Sequence, residues 1–117
     1  MDSVVKLGKK AKGECITEDL DGWKIVSGKP KMKTWVQNTS KDGSMIAGYW
    51  EATIGTYHAT YTDYEFVHVI AGKVTITPDG GKSVNLGAGD AFTIEPGFSG
   101  TWKIKEKIRK HFAIRLK

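Results

Sequence analysis

Short extended segments separated by turn residues recur about every ten residues along this chain, and this spacing is its strongest constraint on the fold. Within the segments, apolar and polar residues alternate with the period of two that is typical of β-strands, and no stretch has a convincing helical period. The candidate strands cover residues 23–26, 33–37, 47–54, 65–70, 73–77, 83–86, 91–94, 100–104 and 108–116. The pattern predicts an all-β sandwich, jelly roll or small barrel.

A chain of 117 residues, 39% of them hydrophobic and 26% charged, suits one globular domain. Residues 1–14 are polar and contain glycine, which predicts a peripheral N-terminal arm that is either loose or packed on a neighbouring subunit. We therefore place the domain at residues 15–117.

The single cysteine, Cys15, cannot form an intramolecular disulfide, and no apolar signal segment is evident near the start. These features favour a reducing, cytoplasmic location. No apolar run approaches the roughly 20 residues that cross a bilayer, so no membrane partner is expected.

The formal charge of +5 is concentrated at the two ends of the chain. Residues 1–12 carry a net charge of +3 and residues 103–117 carry +6, whereas residues 13–102 carry −4. Because the middle of the chain, where a pocket would be built, is acidic, nucleic-acid binding is the less favoured interpretation of the basic ends.

Two glycine-rich patterns carry a family resemblance. Gly55, Glu65 and Gly72 resemble the first signature motif of the RmlC-like cupin superfamily, in which the spacing from glutamate to the second glycine fits, and residues 89–97, Gly-Asp-Ala-Phe-Thr-Ile-Glu-Pro-Gly, resemble the second. Residues 48–51, 61–72, 97–102 and 108–112 are more closely similar to small single-domain cupins of the (S)-ureidoglycine aminohydrolase type, formerly DUF861, which include ethanolamine-utilisation relatives. The resemblance covers about residues 45–117 and implies a cupin jelly roll, a double-stranded β-helix barrel.

The chain departs from that family pattern at the metal ligands. The two histidine positions of the first motif fall on Ala59 and Tyr61, or on His58 and Thr60, and that of the second falls on Gly100. The resemblance implies a divalent metal, but a tight site needs three or more converging imidazole or carboxylate groups. The residues present therefore predict no tight metal site, and His58 and Glu65 are only weak metal candidates.

Strand phase gives an independent prediction of the interior. Lys110 shares a face with the apolar residues Ile108 and Phe112, and Glu65 is in phase with Val67. A buried charge needs a partner, so we expect Glu65 and Lys110 to meet inside the barrel. Two interpretations stay open: a structural ion pair, or a catalytic acid–base pair or carboxylate-binding lysine.

Aromatic residues are predicted to surround this pair. Trp102 is in phase with Gly100, and Tyr57 and Tyr61 lie close by in the pattern, so we expect these three with Glu65 and Lys110 to bind a small organic ligand. For Trp50, plain core packing is the preferred interpretation.

His68 shares an outward, largely apolar face with Phe66 and Ile70. A monomer would leave that face exposed, which predicts a homodimer formed by sheet-to-sheet packing.

Three functions are compatible with the sequence. The favoured one is a cupin with a degenerate metal motif that binds a small polar metabolite, a carboxylate or an amine, for either a non-metal enzymatic step or a sensing role. The first alternative is a metal-dependent cupin enzyme acting on C–N bonds, as the ureidoglycine relatives do. The second is a small β-barrel that binds nucleic acid through its basic ends.

Overall fold

The computed structural model describes residues 3–8 and 13–116, and these ranges contain eight β-strands and no helix. All strand pairs are antiparallel. The strands are β1 (Trp23–Gly28), β2 (Met32–Thr39), β3 (Met45–Ala52), β4 (Gly55–Thr60), β5 (Tyr64–Pro78), β6 (Val84–Gly87), β7 (Ala91–Ile94) and β8 (Ser99–Arg115). The prediction of an all-β fold is confirmed.

The two long strands, β5 and β8, organise the sheet. β5 pairs along one edge of β8, and the other edge pairs with β4 in its first half and β3 in its second. β1 and β2 extend the sheet beyond β4 and β3, and β6 and β7 pair with the free edge of β5. The sheet curls on itself, so that alternate side chains of β5 and β8 face a common interior.

β5 is longer than the sequence predicts. The sequence predicts two strands, 65–70 and 73–77, separated by Ala71-Gly72. In the structure β5 continues through these two residues, with register shifts between Val69 and Val74. Gly72 has a φ of +94°, and a Cβ there would lie 2.1 Å from the Lys107 carbonyl oxygen. The glycine therefore allows a bulge and a close approach to β8 instead of a chain reversal.

β8 is also continuous, although the charged residues 105–107 suggest a bend. Their side chains are exposed, and Lys73 of β5 pairs with Glu106 in the strand register and by an ion pair of 3.3 Å. Charge on the outer face of a sheet is compatible with an unbroken strand.

The segment after β3 differs from its prediction as well. β3 ends at Ala52, so Ile54 does not share the inner face of Trp50 and is 64% exposed. The following strand, β4, was not predicted, although Tyr57 and Ala59 alternate with His58 and Thr60 and are fully buried. Only two residues separate the end of β3 at Ala52 from the start of β4 at Gly55, so the turn between these strands is not evident in the sequence.

Large aromatic residues fill much of the interior. The Trp23 ring lies 5.5 Å from Trp50, 5.7 Å from Tyr57 and 5.1 Å from Trp102, measured between ring centroids, in tilted or edge-to-face arrangements. Trp50, Tyr57 and Trp102 are at most 1% exposed. The preferred interpretation of Trp50 as a core residue agrees with this packing.

The described part of the N-terminal segment lies against the sheet. His111 Nε2 is 2.6 Å from the Gly8 carbonyl oxygen, which can only accept, so the Nε2–H donates to it. Ile16 forms an isolated antiparallel bridge with Thr34. The predicted arm, residues 1–14, falls partly outside the described residues, as do Lys9, Lys10 and Lys12 within it.

In the described ranges, no helix has the length and apolar character that a membrane crossing requires.

We expect Gly48→Ala to destabilise the fold by about 1–3 kcal/mol, because a Cβ at Gly48 would lie 1.9 Å from the Trp35 carbonyl oxygen. Gly87→Ala is the matched control, since its nearest neighbour would be 3.7 Å away, and neither glycine has a positive φ. Urea denaturation of both variants measures the difference. Equal stability of the two variants would contradict the close packing of β2 on β3.

Candidate functional site

A cavity of about 250 Å³ opens between the N-terminal segment and the C-terminal half of β8. Its wall is mostly apolar and combines side chains from β1, β2, β3 and β8 with the segment that joins β4 to β5. The lining residues are Ile16, Leu20, Asp21, Trp23, Thr34, Val36, Ile46, Trp50, Thr60, Tyr61, Thr62, Asp63, Glu65, Lys110, Phe112, Ile114 and Leu116. A cavity of this size suits a small organic molecule.

The polar floor of this cavity is an ion pair. Lys110 Nζ donates to Glu65 Oε2 at 2.7 Å, and the two residues are 2% and 3% exposed. Glu65 comes from β5 and Lys110 from β8, each at the inward phase of its strand. The contact that strand phase predicts is therefore present.

Tyr61 completes the coordination of the carboxylate. Its hydroxyl donates to Glu65 Oε1 at 2.6 Å, so each carboxylate oxygen accepts one bond from a neighbour. Burial, followed by the nearby Glu65 charge and this hydrogen bond, raises the pKa of the Tyr61 phenol well above its usual value. Tyr61 thus stays protonated and acts as a donor.

Aromatic faces surround the ammonium of Lys110. Its Nζ lies 4.6 Å from the Trp50 ring centroid and 4.7 Å from that of Trp102, with Phe112 at 6.0 Å. Each tryptophan face attracts a cation at this distance. The lysine charge is therefore balanced by one carboxylate and two indole rings.

Burial lowers the pKa of Lys110, and the adjacent Glu65 carboxylate opposes that shift. Desolvation is the larger effect, so the ammonium releases its proton more readily than an exposed lysine does. A buried amine beside a carboxylate is an arrangement that can transfer protons within a site.

Two further polar atoms of the wall residues lack a partner. Among the described residues, neither Thr34 Oγ1 nor Trp50 Nε1 has a hydrogen-bond partner, although both atoms are buried. An unsatisfied buried donor costs about 1–3 kcal/mol.

The lining of the cavity includes acidic side chains. Asp21 and Asp63 belong to it together with Glu65, whereas Lys110 is the one basic lining residue that the structure describes. Because Lys110 neutralises Glu65, the Asp21 carboxylate disfavours an anionic ligand and is compatible with a neutral or cationic one.

The structure brings together Tyr61, Glu65, Lys110 and Trp102, four of the five residues predicted to bind a ligand. Trp102 contacts Lys110 from behind the cavity wall and is not part of the lining. Tyr57 is also outside the lining. Its hydroxyl donates to Asp19 at 3.2 Å, and its ring packs edge-to-face on Trp23.

His58 and Glu65, the weak metal candidates, are not brought together. His58 faces outward from β4, and its Nε2 lies 3.0 Å from Asp79 Oδ2, beside Ser99. In β4, Tyr57 and Ala59 are buried, so His58 between them lies on the opposite face of the strand from the interior.

The interior donors do not suit a transition metal. Within residues 3–8 and 13–116, no group of three or more His, Cys, Asp or Glu side chains is placed to hold a metal ion. The ammonium of Lys110 contacts the one carboxylate at the floor of the cavity, where a cation would bind. We therefore assign no chemical step to a metal.

Sequence reasoning missed much of the cavity wall. Ile16, Leu20 and Trp23 come from the N-terminal segment and β1, and Thr34 and Ile46 come from the β2–β3 hairpin. The alternation of Met32 and Thr34 on a buried face was a usable signal for Thr34. The N-terminal residues have no such signal, because they are not in regular strands.

In comparison with known families, residues 39–112 match the model of the EutQ-like cupin domain. No curated protein sequence matches the chain.

Several solved structures share the fold. A DUF861-family protein of unknown function from Pseudomonas syringae superposes with a TM-score of 0.75 at 19% identity over 92% of this chain, which spans only 46% of that protein. A DUF861-family protein from Thermotoga maritima is 31% identical over 55% of this chain and 73% of its own, with a TM-score of 0.54. The Clostridium difficile EutQ protein superposes with a TM-score of 0.65 at 20% identity, and the match covers 74% of this chain and 69% of that protein. The predicted cupin jelly roll is confirmed, whereas the ureidoglycine aminohydrolase type stays a prediction.

We expect Lys110→Met to destabilise the protein by about 3–5 kcal/mol, because it leaves the buried Glu65 carboxylate without its partner. The double variant Glu65→Gln with Lys110→Met should recover most of that loss, since it removes both charges. Urea denaturation of the single and double variants gives the coupling free energy.

Lys105→Met, an exposed position on the outer face of the same strand, is the control and should change stability by less than about 0.5 kcal/mol. A double variant as unstable as Lys110→Met would contradict an energetic coupling between the two charges.

Proposed function

The chain belongs to the family of EutQ-like cupin domains, and from that premise we propose that it binds a small organic molecule in the cavity above Glu65 and Lys110. The observation that carries the proposal is the buried ion pair at the floor of a mostly apolar cavity. A purely structural pair would be equally stable, or more so, as two apolar residues. Its position in the wall of an open cavity favours a role toward a ligand.

The groups around the floor favour a ligand with an oxygen acceptor. Lys110 has three N–H donors, and Glu65 takes one of them. The other two can donate to a ligand in the cavity, which Lys110 lines. A hydroxyl or carbonyl oxygen would accept from these donors, while a short carbon skeleton packs on Trp23, Ile46 and Ile114.

The acidic side chains of the lining limit the charge of this ligand. The Asp21 carboxylate disfavours a carboxylate head group, one of the two that the sequence suggested. We therefore propose a neutral oxygen-bearing head group, with an amine as the second choice and an anion as the least favoured.

A metal-dependent reaction at C–N bonds is the alternative that the family resemblance suggests. It would need ligands that the described interior does not supply. Metal analysis of protein purified without chelators tests this alternative, since a stoichiometric transition metal would favour it over the present proposal.

Titration with butan-1-ol, n-butylamine and butanoate, followed by ¹H–¹⁵N NMR of the four tryptophan indoles, tests ligand binding. We expect saturable shifts of the Trp50 and Trp23 indole signals, strongest with the alcohol and weakest with butanoate, because both rings line the cavity. Trp35 is an internal control, since it packs on Tyr49 and is not part of the lining.

Val36→Trp at the cavity wall should abolish the shifts without unfolding the protein, because Val36 is 44% exposed. Equal shifts at all four indoles, or none with any of the three compounds, would refute a binding cavity.

We also propose that the protein is a homodimer formed through the outer face of β5. Phe66 is 44% exposed, and His68 beside it on that face is exposed too. Light scattering should give a molecular mass of twice that of one chain. In the variant Phe66→Glu the measured mass should fall to that of a single chain. Val84→Glu, which changes a 50% exposed apolar residue on β6, is the control and should remain dimeric. A monomeric unsubstituted protein would refute the proposal.

A further inference from the structure

Lys110 presents an amine to the cavity in an arrangement suited to covalent chemistry. Resting on the small-molecule binding proposed above, we propose that Lys110 Nζ forms an imine with a small aldehyde that enters the cavity. The proposal stands on three observations: the amine is part of the cavity wall, a carboxylate lies 2.7 Å from it, and aromatic rings surround it.

An amine attacks a carbonyl only when it has lost its extra proton. Glu65 Oε2 already accepts a hydrogen bond from Lys110 Nζ, so the proton needs to move only along that bond. The move converts an ion pair into a neutral acid and a neutral amine, which a dry site tolerates better than two charges. Burial lowers the pKa of Lys110 and so increases the fraction of free amine.

The reaction balances with the groups present. The amine nitrogen of Lys110 bonds to the aldehyde carbon as the carbon–oxygen π bond opens, and one proton of that nitrogen moves to the oxygen, which becomes the hydroxyl of a carbinolamine. The protonated Glu65 carboxyl then returns its proton to that hydroxyl, which leaves as water while the nitrogen forms a double bond to carbon. The products are a protonated imine and a Glu65 carboxylate, so no oxidant or reductant is needed.

The site accommodates the product without a change in net charge. A protonated imine carries the single positive charge that the Lys110 ammonium carries before the reaction. Glu65 and the faces of Trp50 and Trp102, at 4.6 and 4.7 Å, remain in place to stabilise it.

The features of the cavity suit a small neutral carbonyl compound, and among such compounds an aldehyde is the least hindered toward attack by an amine. An aldehyde carries no charge, so it avoids the repulsion that an anion would meet at the Asp21 carboxylate, and a cavity of about 250 Å³ holds a short alkyl chain.

Reductive trapping tests the imine. The protein is incubated with a low concentration of butanal and sodium cyanoborohydride at neutral pH, and peptide mapping by mass spectrometry locates the added butyl groups on the sixteen lysines. We expect one group per chain on Lys110, formed about tenfold faster than on any exposed lysine, because the cavity holds the aldehyde beside this amine and burial lowers the pKa of Lys110. Labelling spread over the exposed lysines, with Lys110 unmodified, would overturn the proposal.

Two variants control for the fold. The double variant Glu65→Gln with Lys110→Met, which carries no buried charge, should lose the fast label, whereas Lys105→Met on the outer face should keep it. A fast label that persists in the double variant would place the reaction elsewhere and overturn the proposal.

Butan-1-ol separates this inference from the proposed function. It has the same chain length as butanal but forms no imine, so its binding depends on the cavity alone. Saturable butan-1-ol binding without trapping at Lys110 would refute the imine and leave the binding function intact. Failure of both would refute both.

Discussion

The opposite charges of Glu65 and Lys110 constrain the whole barrel, because each is tolerated inside only when the other lies beside it. Lys110 stands opposite Val69 in the β5–β8 register and opposite Trp50 in the β3–β8 register. A slip of one residue in β8 would turn Lys110 outward and leave the Glu65 carboxylate buried alone. The ion pair therefore selects one strand register among those that a wholly apolar strand would allow. That register also determines the geometry of the cavity.

The interior is divided between a packed region and an open one. The Trp23, Trp50, Tyr57 and Trp102 rings fill the packed region and supply the faces against which the Lys110 ammonium rests. The open region is bounded by aliphatic residues and by the N-terminal segment, which bridges to β2 through Ile16 and Thr34. The ion pair lies where the two regions meet, so the same residues that stabilise the charge also border the space available to a ligand.

The all-β fold and the inward pair could be predicted from sequence because both depend on local alternation. A lysine within the run Ile108, Lys110, Phe112 is conspicuous, and the phase of Glu65 with Val67 requires no tertiary information. The continuity of β5 and β8 could not be predicted, since Gly72 and residues 105–107 carry the same signals as a turn and only cross-strand pairing makes them bulged or extended strand. The residues of the cavity wall could not all be predicted either, because Leu20 and Ile16 reach the wall through contacts with residues that are distant in sequence.

The length of β8 has a consequence for how the chain acquires its structure. Its seventeen residues pair with β3, β4 and β5, all of which precede it in the sequence. Those earlier strands pair with β1, β2, β6 and β7 but are joined into one sheet only through β8. Such dependence on distant contacts is typical of slow folding, because loop closure must precede the stabilising interactions. During synthesis, the edges of β3, β4 and β5 that pair with β8 would stay unpaired until β8 had been made. The barrel would then close in one late, cooperative step.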